Sequence, residues 1–357
     1  MASKPSHKKI HILVIRLSAM GDVAMTIPVL LAFTQQYPDV KITVLSRAFF
    51  KPFFEGIANV SFFEADVKGK HKGVKGLYKL SQELKELELT AVADLHNVLR
   101  SNILKLFLKI QGLKVIQINK GRSEKKALTR SQNKTLKPLK TTHERYAEVF
   151  NKLGFSIQLD SSHLLPKRSL TQNLNALIGF SAQKWIGIAP FAAFEGKKYP
   201  LDLMEKVIAA LNASGNYKLL LFGGGKRESD ILNNLESKYA TAVNMAGKTS
   251  FEEELALISN LDVMLAMDSG NAHLSAMFGV PTITLWGVTH PYAGFYPYAQ
   301  PKENALLADR EQYPFIPTSV YGNKFPEGYE NAMRSILPET IIELLEKKIS
   351  IKKRPRD

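Results

Sequence analysis

Apolar positions follow two alternating spacings along this chain of 357 residues. Short, nearly unbroken apolar runs such as IHILVIRL (10–17), AVADLH (91–96), LDVMLAM (261–267) and VPTITLW (280–286) are separated by longer stretches with helical periodicity. A run that is apolar at every position marks a strand buried on both faces, the habit of parallel sheets covered by helices. In the first half the pattern predicts strands at 10–17, 40–46, 60–65, 91–96 and 114–119. Helices fall near 22–36, 48–56, 74–88, 99–110 and 143–153. The helix at 74–88 shows its stripe most plainly, as Leu77, Leu80, Leu84 and Leu87. Tyr37-Pro38 ends the first helix, and Gly154 suits the C′ position of the last.

Between them, residues 120–142 read GRSEKKALTRSQNKTLKPLKTT, a polar and basic stretch with no clear period. It is expected to be a mobile loop or a weakly formed helix. A linker near 160–175 leads to a second alternation. Strands are predicted at 185–190, 217–222, 241–245, 262–267 and 281–286, with helices at 202–213, 226–238, 250–260 and 271–278. Residues 288–335 are rich in Pro, Tyr and Gly and read as irregular. A helix at 338–349 precedes a basic tail. The fold class is therefore α/β, with two doubly wound domains that share a plan but no sequence repeat.

Two turns stand out in this frame. S-A-M-G-D (18–22) follows the first strand, and D-S-G-N-A-H (268–273) follows the strand ending at 267. In doubly wound sheets, ligands bind beyond the carboxyl ends of the strands. A helix that begins there offers free N–H groups and the positive end of its dipole to a phosphate. One such turn in each half predicts a cleft between two domains.

Composition narrows the chemistry. The chain has no cysteine, which removes disulfides, thiolate catalysis and Cys-based zinc sites and fits a reducing compartment. No run reaches the ~18 apolar residues of a spanning helix, so a soluble, cytoplasmic protein is expected. Net charge is +15, and its distribution is uneven: residues 1–170 hold 29 Lys and Arg against 13 Asp and Glu, residues 171–357 hold 19 against 20. The imbalance points either to a solvated basic face or to an acidic partner of the first half, such as nucleic acid, an anionic membrane or a phosphorylated substrate. D-x-D, H-E-x-x-H, Walker A and G-x-S-x-G motifs are absent from the sequence, and Gly21 belongs to no G-x-G-x-x-G turn.

Individual residues admit two readings each. Asp22, at the end of the first strand, is either a carboxylate placed to act as a general base or the cap of the following helix. Lys197 and Lys198 in PFAAFEGKKYP are either ordinary loop lysines or a source of charge for a departing diphosphate. Gly223 and Gly224 in FGGGKRE are a tight turn or a close approach of backbone to a nucleotide. Asp268 and Ser269 are good N-cap types, and His273 suits a structural role. Ser269, Gly270 and Asn271 also have the placement to present N–H groups to a diphosphate, and Asp268 to bond a donor hydroxyl. Thr289 follows the next strand at the same edge.

RLSAMGDVAMTIPVL at the start, KKYP at 197–200, FGGGKRE at 222–228 and MDSGNAHLSAMFGVPTITLWG at 267–287 together resemble the heptosyltransferases of glycosyltransferase family nine. The likeness runs through most of the chain in the same order, and is faint over 60–165. It implies a GT-B fold of two facing Rossmann-like domains: 1–165 binding the acceptor, 176–335 binding the nucleotide sugar, and 336–357 returning to the N-terminal domain. It implies an inverting, metal-independent transfer of heptose from a nucleotide-heptose, ADP-heptose first among them, to a lipopolysaccharide core acceptor. Asp22 then matches the base, with Gly21 beside it, and Lys197 the lysine on the leaving diphosphate. Glu228 matches an acid for a ribose hydroxyl pair. Asp268, Ser269, Gly270, Asn271, His273 and Thr289 join Gly223 and Gly224 as donor contacts. Relatives often carry Thr or Ser before the lysine, where this chain has Ala192-Ala193-Phe194. No cofactor and no metal are implied. The basic residues Arg122, Lys125, Lys126 and Arg130 are expected to meet a phosphorylated, lipid-linked acceptor and an anionic membrane. The rival readings are a transferase of the same fold with another donor or acceptor, and a non-catalytic nucleic-acid-binding protein.

Overall fold

Strand β1 (His11–Ile15) is buried at every position and lies in the middle of an all-parallel sheet with β2 (Lys41–Ser46), β3 (Val60–Glu64), β4 (Ala91–Asp94) and β5 (Lys114–Gln117). The order is β3-β2-β1-β4-β5, so the chain reverses its direction of growth between β1 and β4. The edge strands β3 and β5 are only half-buried. In this computed structural model, which describes residues 9–179 and 182–351, the chain divides into two compact units. The first sheet belongs to a unit made of residues up to Lys120 together with Thr142–His163.

Helices α1 (Met20–Ala24) and α2 (Thr26–Gln36) follow β1, where one longer helix is expected from the sequence. Helix α3 (Gly73–Lys85) buries Leu77, Leu80 and Leu84 as its period predicts, and α4 (Leu99–Ile110) buries Leu104 and Leu108 against the same core around Leu13, Ile15 and Val92. The chain leaves this unit at Gly121 for α5 (Arg122–Thr129) and returns for α6 (Thr142–Leu153). Phe150 of α6 and Phe33 of α2 meet with ring centroids 4.9 Å apart on the sheet's other side.

The second unit holds Gly121–Thr141 and the chain from Leu164 onward. Its sheet comprises β6 (Lys184–Ala189), β7 (Tyr217–Leu221), β8 (Ala242–Asn244), β9 (Val263–Met267), β10 (Thr282–Trp286) and β11 (Ala305–Leu307), in the parallel order β11-β10-β9-β6-β7-β8. The switch point lies between β6 and β9, with Ile188 opposite Leu265 and Ala189 opposite Ala266. The helices are α7 (Gln172–Ile178), α8 (Leu201–Ala213), α9 (Gly225–Lys238), α10 (Phe251–Ser259), α11 (Gly270–Ala276) and α12 (Pro338–Ile351). Two elements were hidden in stretches read as linker or irregular. α7 starts at Thr171, whose hydroxyl accepts the Leu174 N–H at 3.2 Å, and β11 is a short edge strand.

Three sequence expectations are corrected. First, residues 121–141 pack with the second unit and do not belong to a domain spanning 1–165. They are neither loose nor unformed: Thr135 and Leu139 donate backbone bonds to Ala127 and Tyr292, and the Lys134 ammonium donates to the Phe315 carbonyl and, at 2.8 Å, to that of Pro317. Second, the described part of α12 packs within the second unit. Ile341, Leu345 and Ile349 sit in the second unit's core with Met204, Ile208 and Leu211 of α8 and Leu265 of β9. The last residues of the basic tail lie outside the described residues. Third, the charge asymmetry belongs to the chain's order and not to its units. Counted by unit, the first has 20 Lys and Arg against 12 Asp and Glu, the second 28 against 21, so neither carries the excess alone.

The place of α12 is open to measurement. Leu345 is fully buried, so Leu345→Ala should cost about 2–5 kcal/mol of the second unit's stability through lost packing and a residual cavity. Denaturant unfolding followed by Trp185 and Trp286, both in that unit, reads this directly. An unchanged transition midpoint would mean that α12 is dispensable to the core.

Candidate active site

At the carboxyl edge of the first sheet, the chain after β1 is strapped down before it turns. Ser46 donates its hydroxyl to the Arg16 carbonyl at 2.6 Å, and Arg47 Nε to the Leu17 carbonyl at 2.9 Å. Arg16 is thereby buried beneath the turn. Its guanidinium donates Nη1 to the Leu95 carbonyl at 2.7 Å and pairs through Nη2 with Asp22 Oδ2 at 2.7 Å. It also lies 5.8 Å from the ring centroid of buried Tyr146, whose hydroxyl donates to the Asp22 carbonyl at 3.1 Å. Asp22 keeps 28 % exposure, so its carboxylate is fixed from below and open above. The capping role is present too, and is the looser contact: Ala19 N–H reaches Asp22 Oδ2 at 3.3 Å.

The loop after β4 completes this edge. Buried Asp94 accepts the N–H groups of His96 and Asn97 at 2.9 and 3.1 Å and the Gln117 amide at 2.6 Å. These bonds aim His96 Nε2 at Ser18 Oγ, 3.3 Å away. Burial, reinforced by the Arg16 and Lys120 cations, pushes the His96 imidazole down to about 4, so it is neutral at physiological pH.

At the corresponding edge of the second sheet, the loop after β6 carries Lys197, and β9 ends in Asp268. Lys197 Nζ lies 2.7 Å from Asp268 Oδ2, and Thr289 Oγ1 donates to the same oxygen at 2.9 Å. Lys197 is 14 % exposed and Asp268 buried. Glycines make this approach possible. The Gly196 N–H donates to the Gly322 carbonyl, and the Gly196 carbonyl accepts from Val288. A Cβ on Gly196 would lie 2.3 Å from Val288, one on Gly287 2.5 Å from the Gly196 carbonyl, and one on Gly322 2.6 Å from the Lys197 stem. Lys198 points elsewhere, to exposed Glu195.

Ser269 is the N-cap of α11 but makes no side-chain cap bond, so its hydroxyl, with half-exposed Gly270 and Asn271, stays at the edge. His273 is buried in the same helix. In the glycine turn, Gly223 packs on the Phe191 ring, Gly225 adopts φ +75° to start α9, and Glu228 Oε2 accepts the Gly224 N–H at 2.8 Å. That bond gives Glu228 a structural role in holding the turn. Of the basic residues, Arg122, Lys126 and Arg130 are exposed, whereas Lys125 is buried with its ammonium 3.9 Å from the Phe295 ring centroid. Lys125 therefore differs from the other three, which are open to solvent. Among the described residues, no three His, Asp or Glu side chains gather as a metal site.

The sequence reading missed Arg16, His96 and Tyr146. Arg16 left one trace, a cation at the end of an otherwise apolar strand six residues before Asp22. His96 and Tyr146 reach the edge only through topology.

Known proteins agree with this architecture. The model of glycosyltransferase family 9 (heptosyltransferase) matches residues 77–322. The chain is 28% identical over 358 residues to lipooligosaccharide heptosyltransferase 2 of Haemophilus influenzae, covering 94% of this chain and 98% of that one. It is 24% identical over 284 residues to the lipopolysaccharide core heptosyltransferase OpsX of the same organism, covering 78% and 79%. The structure of a family 9 glycosyl transferase from Veillonella parvula superposes with a TM-score of 0.73 at 19% identity, over 96% and 98% of the two chains. That of the E. coli heptosyltransferase WaaC with ADP gives 0.67 at 19%, over 95% and 100%. The fold is thus that of GT-B glycosyltransferases. The chain belongs to glycosyltransferase family 9, the heptosyltransferases, and is a glycosyltransferase.

The neutrality of His96 has a measurable sign. Its folded value lies below its ordinary 6.5, so between pH 6.5 and about 4 the unfolded chain takes up a proton that the folded chain refuses. Stability should therefore fall as pH drops through this window and be fully present above it. Urea midpoints at pH 7 and pH 5 should drop further for the parent than for His96→Gln. Equal drops would mean that the native imidazole accepts its proton freely.

Proposed function

We propose that this enzyme transfers heptose from ADP-heptose to the inner core of a lipopolysaccharide, with inversion at the anomeric carbon and without a metal ion. The observation that carries this reading is the seating of Lys197. Asp268 and Thr289 hold its ammonium at the carboxyl edge of the second sheet, beside the start of α11. A diphosphate at this edge meets a fixed positive charge, which stabilises the anion that develops as the glycosidic bond breaks. The known structures of WaaC with ADP and with ADP-2-deoxy-2-fluoro heptose, which share this fold, support an adenine nucleotide.

In the reaction, the acceptor hydroxyl oxygen attacks the anomeric carbon from the face opposite the diphosphate. Its proton passes to the Asp22 carboxylate, the bond from carbon to the diphosphate oxygen breaks, and ADP leaves with the electron pair. Arg16 holds the Asp22 carboxylate in one orientation throughout. The phosphate and carboxylate groups of the acceptor are assigned to Arg122, Lys126 and Arg130, and the enzyme acts at the cytoplasmic face of the inner membrane. Among the described residues, no helix is long and apolar enough to cross that membrane.

Asp22→Asn keeps the size of the side chain and removes its basicity. Turnover should fall by ~10²–10⁴ with donor affinity nearly unchanged. Near-normal kcat in a coupled ADP-release assay would reduce Asp22 to a helix cap.

Lys197→Ala should weaken ADP binding and slow transfer, while Lys198→Ala, which loses only a surface pair with Glu195, should change either by less than about threefold. Isothermal titration with ADP separates the two, and an equal or greater loss for Lys198 would refute the assignment.

Transfer should persist in EDTA, because Lys197 supplies the charge that a metal ion gives to other diphosphate leaving groups. Activity lost on chelation and restored by Mg²⁺ or Mn²⁺ would exclude the metal-independent route.

A further inference from the structure

The solvent side of α4 is apolar. Leu99, Leu106 and Ile110 fall on one stripe opposite buried Ser101, Leu104 and Leu108, with Ile103 between them half-buried and packed in part against the core. Leu99 is 78 %, Leu106 57 % and Ile110 75 % exposed. An amphipathic helix that packs its other face on the core has no need of this stripe. The apolar surface continues onto α3: Phe107 meets Tyr78 edge-on with ring centroids 5.5 Å apart, and Tyr78 and Val74 are both more than half exposed. A contiguous apolar patch of this kind on a folded unit marks an interaction surface.

Its rim is basic. Arg100, Lys105 and Lys109 are the charged residues of α4, which has no acid at all. Lys75, Lys79 and Lys85 line α3, whose one acid, Glu83, is already engaged by Lys70 and His71. We propose that this face of the first unit docks on an anionic lipid bilayer, with the α4 stripe entering the boundary between headgroups and acyl chains. The charge pattern favours a bilayer over a second copy of the chain. A two-fold pairing through the stripe would set the basic residues of α4 against those of its copy, with no acid on the helix to answer them. A bilayer answers them with phosphate. Long basic side chains keep their charge at the headgroups while their stems lie along apolar surface, and tyrosine suits the same depth. The proposal deepens the reading of a lipid-linked acceptor, but vesicle binding is measured without either substrate and stands apart from transfer.

The test is co-sedimentation with vesicles of phosphatidylcholine alone and of phosphatidylcholine mixed with phosphatidylglycerol. The parent should bind the mixed vesicles and be released by salt. The double variant Leu106→Ser/Ile110→Ser should partition at least about tenfold less. The triple variant Lys75→Ser/Lys79→Ser/Lys109→Ser should lose its preference for the anionic lipid, at roughly fivefold per ammonium. All five positions are exposed, so both variants should fold, as thermal unfolding will show. Both should also keep the parent's transfer rate on a delipidated acceptor, which separates a failure of docking from a failure of the assigned reaction. Leu106→Trp provides an independent readout, with emission shifting to the blue on vesicles. Vesicle binding unchanged in both variants, no shift from Leu106→Trp, or a dimeric parent that becomes monomeric with Leu106→Ser/Ile110→Ser would each overturn the proposal.

Discussion

The ion pair between Lys197 and Asp268 fixes the working edge of the second unit. Its two partners follow different strands, β6 and β9, and the close approach of chain around Lys197 needs Gly196, Gly287 and Gly322 to lack side chains. A buried pair of this kind contributes little net stability, since desolvation offsets most of its attraction. Removing one partner is another matter, because the remaining charge is stranded at a cost of about 3–5 kcal/mol. What the pair supplies is position: an ammonium held at one point, with Thr289 confining the carboxylate that holds it.

The first unit uses the same device with the signs exchanged. Arg16 leaves the end of β1 directly and is the buried partner; Asp22, in the following helix, is the more open one. In the second unit Asp268 leaves the end of β9 and is buried, while Lys197 is the more open one. In both, the rigid strand end carries a charge that orients, and the turn carries the charge that remains reachable. The deeper partner is shielded from solvent and held by bonds to the sheet's own loops, so the reachable one inherits a defined direction.

The sheet strands were legible in the sequence because burial on both faces leaves unbroken apolar runs, as in β1, β9 and β10. Lys197, Asp268 and Thr289 were legible as motif residues, although their mutual contact was not. Arg16 escaped notice because an arginine ending an apolar run looks like a surface terminus until its partner is known. The assignment of 121–141 to the first domain failed for a different reason: sequence adjacency says nothing about packing when the chain departs and comes back. The burial of Lys125 was equally invisible, since only the fold places the Phe295 ring under its ammonium. The apparent basic bias of one half dissolved for the same cause.

That excursion affects how the protein is made on the ribosome. Lys134 emerges long before Phe315 and Pro317, the residues whose carbonyls receive its ammonium. At typical elongation rates the wait is roughly ten to forty seconds. Meanwhile Thr142–His163 arrive and can close the first unit, because nothing that unit contains lies later in the chain. The nascent chain thus carries a finished N-terminal body with a basic, partly apolar loop hanging from its middle. That loop is the second unit's earliest piece, synthesised before every other part of the unit it packs in.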